Sequence, residues 1–246
     1  MNLGLDGKLC VVTGATRGIG AATARMLKQE GADVLSVARA QADLELDVTA
    51  TDAGERVLAA CSRPPWALIN AAGHAGARPL DELTDADWQH HWDLHVMAPM
   101  RLMRALAPVM GDNGGGRIVN VSSSSGKRPS RRLDASYSVT KAALLSLSRL
   151  FADTWSANGV LVNAVAPGPI GGQSWTAAGG LADEIAARSQ ATRDEVLEST
   201  RSGLPIGRMG TDEEAAAVIV FLCSRPASNV TGAAWSVDGG SVPIIV

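Results

Sequence analysis

Seven short runs rich in β-branched and other apolar residues recur along this chain, at 8–13, 33–38, 44–48, 66–70, 117–122, 160–166 and 233–238, and most of the gaps between them can hold a helix. Runs of this kind, apolar on both faces and alternating with helical patterns, specify a parallel sheet covered by helices on both sides. Helical periodicity predicts helices at 18–30, about 52–61, 85–110, 136–157 and 212–224, with a further pair between about 173 and 203. Too few residues lie between the second run and the third for an ordinary crossover helix, so a loop is predicted there.

The bulk properties narrow the class of partner. The chain has 246 residues, 46% of them hydrophobic, and no apolar run near the roughly 18–20 residues that a membrane span needs, so a single domain off the membrane is expected. A net charge of -3 from 22 basic and 25 acidic residues gives no footprint for nucleic acid or for an anionic membrane. The expected partners are a small molecule and copies of the chain itself. Cys10, Cys61 and Cys223 are too few and too scattered for a disulfide framework, which fits a reducing cytoplasm. The start, "MNLGLDGKLCVV", lacks a signal-peptide pattern, and no cleavage is expected.

The first run ends in "TGATRGIG", residues 13–20, and opens into a helical pattern. Gly14 permits a tight turn, Gly18 lets a pyrophosphate approach the backbone, and Gly20 lets helix and strand pack closely, while free N–H groups at the helix start face the phosphates. Where an acidic residue at the end of the second strand would hold the ribose hydroxyl of NAD, this chain has Ala38 and Arg39. Arg39, with Arg17 in the glycine turn, suits a 2′-phosphate, so NADP(H) is favoured over NAD(H). Further along, Tyr137 and Lys141 are four residues apart on one predicted helix face. An ammonium there favours a phenolate. Ser123, at the end of a strand, could bind the same substrate oxygen.

The motifs "TGATRGIG", "LDV" (46–48), "INAAG" (69–73), "NVSSSSG" (120–126), "YSVTK" (137–141), "VNAVAPGPI" (162–170), "LPIGRMGTDEE" (204–214) and "VDGG" (237–240) stand in this order. On them the chain resembles the short-chain dehydrogenase/reductase family, in its 3-oxoacyl-reductase-like NADP(H)-dependent branch, from about residue 5 to 241. The resemblance implies a Rossmann-type, doubly wound parallel sheet of about seven strands in one α/β domain, residues 1–246, with a substrate lid at about 171–204. It also implies a homotetramer, or else a dimer. Tyr137 becomes the general acid in reduction and the base in oxidation, Lys141 tunes it and binds the nicotinamide ribose, and Ser123 steadies the substrate oxygen. The resemblance assigns the cofactor to the turn Gly14, Thr16, Arg17, Gly18, Ile19 and Gly20, to Arg39, to Asp47 and Val48 beside the adenine, to Asn70, Ala71, Ala72 and Gly73 along the cleft, and to Pro167, Gly168 and Ile170 along the nicotinamide.

The stretch "DWQHHWDLHVMAP", residues 87–99, holds three of the four histidines. Thr84 and Asp87 form a capping-box-like start. A metal site is not expected, for want of a third ligand and of the Glu of an HExxH motif. His90 and His91 are read as helix surface or packing. His95 stands where the family has the Asn whose main-chain carbonyl holds a relay water. Pro99, four residues on, has no N–H to give that carbonyl, so the helix is expected to break there. The His95 imidazole either joins the proton relay or holds the break through a neutral hydrogen bond, and the second role is preferred.

Between Ser123 and Tyr137, Lys127, Arg128, Arg131 and Arg132 cluster near the cleft. They are either a solvated surface or a site for an anionic substrate or an acyl-carrier partner. After "PGPI" come helices flanked by glycines, with Thr192 and Glu195 as a capping box and Trp175 as a lid wall or lid core. The reaction expected is hydride transfer between NADP(H) and a ketone, aldehyde or secondary alcohol. The alternatives are an NAD-dependent dehydrogenase of a cyclic diol or similar alcohol and a non-catalytic dinucleotide-sensing scaffold.

Overall fold

A computed structural model describes residues 2–243. Its strands are β1 (Leu9–Thr13), β2 (Asp33–Ala38), β3 (Leu44–Glu45), β4 (Ala67–Asn70), β5 (Gly116–Val121), β6 (Val160–Pro167) and β7 (Ala234–Val237). They form one parallel sheet in the order β3-β2-β1-β4-β5-β6-β7. The helices are α1 (Gly18–Gln29), α2 (Ala53–Ala60), α3 (Asp85–Trp92), α4 (Ala98–Asp112), α5 (Ser124–Lys127), α6 (Ala135–Trp155), α7 (Gln173–Thr176), α8 (Leu181–Ser189), α9 (Arg193–Ser202) and α10 (Asp212–Cys223). Among the described residues no helix is long and apolar enough to cross a membrane.

Alternation along the strands divides the core. Val11, Leu68, Ile118 and Val162 pack with Val57 of α2, Leu102, Met103 and Leu106 of α4 and Ala152 of α6. Cys10, Val12, Ile69, Val119 and Val165 face the other way, onto Leu27 of α1 and Ile219 and Leu222 of α10. A fully buried Leu or Ile of this kind stabilises by roughly 1.5–3 kcal/mol. A third cluster, with Leu181, Ile185, Val196 and Leu197 of α8 and α9, includes Ala77 from beyond β4. This small core seats α8 and α9 on the loop that follows β4.

The second crossover is the predicted loop, and β3 is two residues long rather than the expected 44–48. Asp43 accepts bonds from the Ser36 N–H (2.9 Å) and the Ser36 hydroxyl (2.6 Å), which turns the chain back on β2 without a helix. Residues 46–48 continue as a connection that leads Asp47 and Val48 into the cleft described below. The long helix expected at 85–110 is α3 and α4, joined by a π-turn at Asp93–Met97 in which the Ala98 N–H reaches back to the Asp93 carbonyl. Pro99 supplies no N–H at the next position, so the wider turn meets no lost α-helical bond there. α3 starts on the Thr84–Asp87 capping box, and α9 on Thr192–Glu195.

Strand order reverses between β1 and β4, and that reversal opens a crevice at their C-terminal ends. Thr13 knits the two strands there. Its hydroxyl donates to the Ile69 carbonyl (3.3 Å) and accepts from the Ala71 and Ala72 N–H groups (3.1 and 3.2 Å).

Candidate active site

The crevice continues into a cleft of about 1580 Å³, larger than the roughly 300–1,000 Å³ of an ordinary small-molecule pocket. A cofactor and a substrate can share it. At one end stands the glycine turn. Gly14 has φ +66°, and a Cβ there would lie 2.8 Å from Ala72; a Cβ on Gly20 would sit 2.2 Å from the Gly14 carbonyl. Gly18 has φ +57°, and no atom lies within 3.5 Å of where its Cβ would be, which leaves the backbone open to a ligand. Arg17 forms the N-cap of α1 through its backbone, its carbonyl accepting the Ala21 N–H (3.3 Å), with no side-chain bond to the helix. Thr16, Ile19, Arg39, Asp47 and Val48 line the same end. The Asp47 carboxylate accepts from the Thr49 N–H and hydroxyl (2.9 and 2.7 Å), which hold it below the usual carboxylate range.

These residues fit a dinucleotide: free helix N–H groups and open backbone for the pyrophosphate, and two arginines without carboxylate partners among the described residues for a further phosphate. Ala71, Ala72, Gly73, Pro167, Gly168 and Ile170 line the cleft as expected. Asn70 does not. As the last residue of β4 it points beneath the cleft floor, where its amide donates to Asn120 Oδ1 (2.7 Å), and Asn120 in turn donates to Ser148 Oγ (2.8 Å) on α6.

Ser123, Tyr137 and Lys141 converge on the middle of the cleft. The Ser123 hydroxyl oxygen accepts the Ser125 N–H (3.1 Å) and so caps the short α5. Its own proton is left to donate. Tyr137 is raised by burial, and its hydrogen bond with Ser123 works in the opposite direction. Lys141 is 4% exposed, donates to the Val121 carbonyl (2.8 Å), and lies 5.7 Å from the centre of the Tyr137 ring. Burial brings its ammonium down to about 7. The Ser122 hydroxyl donates to the Lys141 carbonyl (2.8 Å), which ties β5 to the helix that carries Tyr137 and Lys141.

His95 lies behind this wall, 1% exposed. Thr140 gives its hydroxyl proton to the Ser136 carbonyl (2.7 Å) and so accepts from His95 Nδ1 (3.0 Å). Nε2 of His95 accepts the His74 N–H (3.2 Å). These two bonds fix the tautomer with the proton on Nδ1. Burial, then the Lys141 charge, then His91, keep the ring well below the ordinary imidazole range. It is neutral, with both nitrogens engaged, and stands edge-on to Tyr137 at 5.4 Å between ring centres. Replacing His95 with Asn should slow turnover by about tenfold or less, the worth of one neutral hydrogen bond, and leave the inflection of the pH–rate profile where it is. A displaced inflection would place the imidazole in the proton route.

Sequence reasoning missed that the fourth histidine joins this group. His91 stacks on His95 (5.1 Å between ring centres, 18° between planes) and shares a 2.7 Å hydrogen bond through Nδ1 with Ser136 Oγ, while His74 lies 6.1 Å from His91. His91 is the packing residue of the pair, buried against α6, and His90 the surface one, exposed at the edge of the cleft. Among the described residues no three His, Cys, Asp or Glu side chains are placed to share a metal ion. Burial lowers His91 from 6.5 to about 4. The unfolded chain therefore takes up this proton below pH 6.5 and the folded chain only near 4; stability is complete above the first value and lost as pH falls toward the second. Urea titrations should show a loss of roughly 3 kcal/mol from this group over that window, with a shallower fall in His91→Gln.

The substrate end is built on the loop after β4. Its backbone is pinned by His95 at residue 74, by the Asp134 N–H on the Gly76 carbonyl (2.8 Å), by Glu184 of α8 accepting the Ala77 N–H (2.9 Å), and by Asp134 accepting the Arg78 N–H (2.6 Å). No local pattern announces Asp134 or Glu184, because their partners lie 56 and 107 residues away. Trp175 both lines the cleft and packs on the apolar cluster of α8 and α9. A side chain at Gly172 would meet Asp212 Oδ2 at 2.7 Å, which accounts for the glycine there. Lys127, expected beside the cleft, is turned away: its ammonium donates to the Ala234 carbonyl and Ser236 Oγ of β7 (2.7 and 2.9 Å).

Known proteins resemble the chain in sequence and fold. The chain matches the family model described as enoyl-(acyl carrier protein) reductase over residues 14–241. It is 34% identical to a galactitol 2-dehydrogenase of Rhizobium johnstonii, over 96% of this chain and 95% of that protein. It is 32% identical to a sorbitol dehydrogenase of Cereibacter sphaeroides, over 96% and 98%. Its fold superposes on that of L-sorbose reductase from Gluconobacter frateurii, solved with NADPH and L-sorbose, with a TM-score of 0.89 and 31% identity over the whole of both chains.

Proposed function

The chain belongs to the short-chain dehydrogenase/reductase family, an oxidoreductase of alcohol and carbonyl substrates, and from that premise we propose that it is an NADP(H)-dependent ketone or aldehyde reductase. NADP(H) supplies the hydride in reduction and takes it up in oxidation. The observation that carries the reading is the convergence of Ser123, Tyr137 and a buried Lys141 on the middle of one cleft whose glycine-turn end holds Arg17 and Arg39. The Ser123 hydroxyl donates to the substrate oxygen and holds it at Tyr137. The Tyr137 hydroxyl gives its proton to that oxygen as charge builds there in reduction, and its phenolate takes the proton back in oxidation. Lys141, held on the Val121 carbonyl, keeps a positive charge near the phenol below about pH 7. His95 acts as a positioning residue, tying the Tyr137 helix to the loop after β4 through Thr140 and His74.

The preference for NADP(H) over NAD(H) rests on Arg39 and Arg17, with Ala38 where NAD enzymes place an acid; the bound NADPH of the L-sorbose reductase supports it. A polyol or ketose relative supports a ketone with neighbouring hydroxyl groups, which Glu184, Ser130 and Gln173 in the cleft wall can bind. The outer face of α6, with Leu150 62% and Val139 47% exposed, supports self-association into a homotetramer. The three free cysteines support a reducing, cytoplasmic setting.

The test is a panel of ketones, aldehydes and secondary alcohols run with NADPH and NADP, and again with NADH and NAD. Reduction of hydroxyketones with NADPH as the better donor is expected. Tight NADPH binding with no turnover across the panel would favour a sensing scaffold instead.

A further inference from the structure

The carbonyl end of the cleft carries positive charge that neither the Ser123–Tyr137–Lys141 group nor the dinucleotide site uses. Arg128, Arg131 and Arg132 line it and are exposed. Among the described residues none of the three pairs with a carboxylate, whereas Arg25, Arg63, Arg149 and Arg208, on other surfaces, each do. Arg78, beside the same loop, is spent on Asp87 and Asp134. Arg17 and Arg39 stand at the other end, against the glycine turn, and answer the phosphates of the dinucleotide.

The turn that carries these guanidiniums is anchored. The Ser130 N–H donates to Ser138 Oγ (3.4 Å) on α6, the Arg132 N–H donates to Ser130 Oγ (3.2 Å), and Leu133 packs into the lid core. Asp134 then ties the turn to Gly76 and Arg78 and starts α6. Arg131 therefore stands on the same anchored segment as Tyr137, six residues before it. Arg132 reaches Thr200 Oγ1 (3.3 Å) on the lid helix α9, so the lid and the turn close the cleft together. The opposing charge at this end is Glu184, whose Oε2 is already committed to the Ala77 N–H. One carboxylate faces three guanidiniums.

We propose that Arg128, Arg131 and Arg132 form an anion subsite, so that the carbonyl substrate carries a carboxylate or a phosphate at its far end. The inference rests on the reductase reading above. A guanidinium presents a planar fork matched to either oxyanion, and under a lid such a pair is screened less than on an open surface. Like charges close together in sequence repel unless an anion joins them, so the substrate supplies the partner that the fold withholds.

The test compares a γ-keto acid with its methyl ester, and the phosphate monoester of a hydroxyketone with the free hydroxyketone, in the wild type, in Arg128→Gln/Arg131→Gln and in Lys127→Gln. The anionic member should exceed its neutral partner in kcat/KM by roughly tenfold to a hundredfold, the worth of a charge-assisted hydrogen bond. The gain should lie mainly in KM and shrink as salt is raised. The double arginine variant should bring the ratio close to one, while Lys127→Gln, whose ammonium is held on β7, keeps the wild-type ratio. A preference confined to one of the two pairs identifies the oxyanion as carboxylate or phosphate. Equal turnover of anionic and neutral partners, an advantage that survives both arginine substitutions, or turnover only on an acyl-carrier protein would each overturn the proposal. If no carbonyl is reduced with either cofactor the reductase reading itself fails, and calorimetry then decides the subsite separately. The γ-hydroxy acid titrated into the NADPH-loaded protein should bind in the wild type and be lost in the double variant; failure to bind the wild type overturns the subsite.

Discussion

Replacing Tyr137 with Phe should lower kcat for carbonyl reduction by about a thousandfold while NADPH still binds. The size follows from what is removed. General acid catalysis by a positioned side chain contributes roughly 10²–10⁴-fold, and Tyr137 is the single tyrosine of the chain, so no neighbouring phenol can take over. Phe keeps the ring that stands edge-on to His95 and deletes the hydroxyl alone. Lys141→Met should also fall steeply, and in the wild type kcat for reduction should decline as pH rises through about 7, where Lys141 loses its charge and Tyr137 becomes a weaker acid. Single-turnover kinetics with saturating NADPH, followed from pH 5 to 9, check both statements. A Tyr137→Phe enzyme within tenfold of wild type would remove the phenol from the reaction.

The second large effect concerns the cofactor. Arg39→Ala combined with Arg17→Ala should lower the ratio of kcat/KM with NADPH to that with NADH by roughly 10²–10⁴-fold, because each of the two lost guanidinium–phosphate pairs is worth about 1.5–3 kcal/mol. The loss should appear in KM for NADPH, with KM for NADH nearly unchanged, and should diminish as salt rises. Equal losses for both cofactors would instead mean that the arginines support the glycine turn and do not read the 2′-phosphate.

Much of the scaffold was legible because it is written locally. Continuous β-branched runs, the strand–glycine–helix junction and the capping boxes at Thr84 and Thr192 depend on residues within a few positions of each other, and the structure has each of them. The short second crossover was legible from length alone, although the reduction of β3 to two residues depends on Asp43 folding back onto Ser36. The break near Pro99 followed from a missing N–H. Its form as a π-turn did not, since its side-chain contacts, His95 on Thr140 and, beside it, His91 on Ser136, reach 45 residues along the chain.

The misreadings share a cause. Asn70 sits in a motif whose next three residues do line the cleft, but strand alternation turns its own side chain under the floor to Asn120. Lys127 follows Ser123 in sequence yet belongs to the β7 edge. His74, Asp134 and Glu184 shape the loop after β4 through bonds spanning 21, 56 and 107 residues. Such contacts arise from how elements are brought together and leave no periodicity behind.

In the proposed reaction this cleft transfers a hydride between NADP(H) and a carbonyl with Tyr137 moving the proton. The most direct measurement follows NADPH consumption and alcohol formation together, with a hydroxyketone as substrate, in the wild type and in Tyr137→Phe. One alcohol should form per NADPH consumed by the wild type, and almost none should form with the variant at full NADPH occupancy. Consumption of NADPH without alcohol, or equal rates in the two proteins, would contradict it.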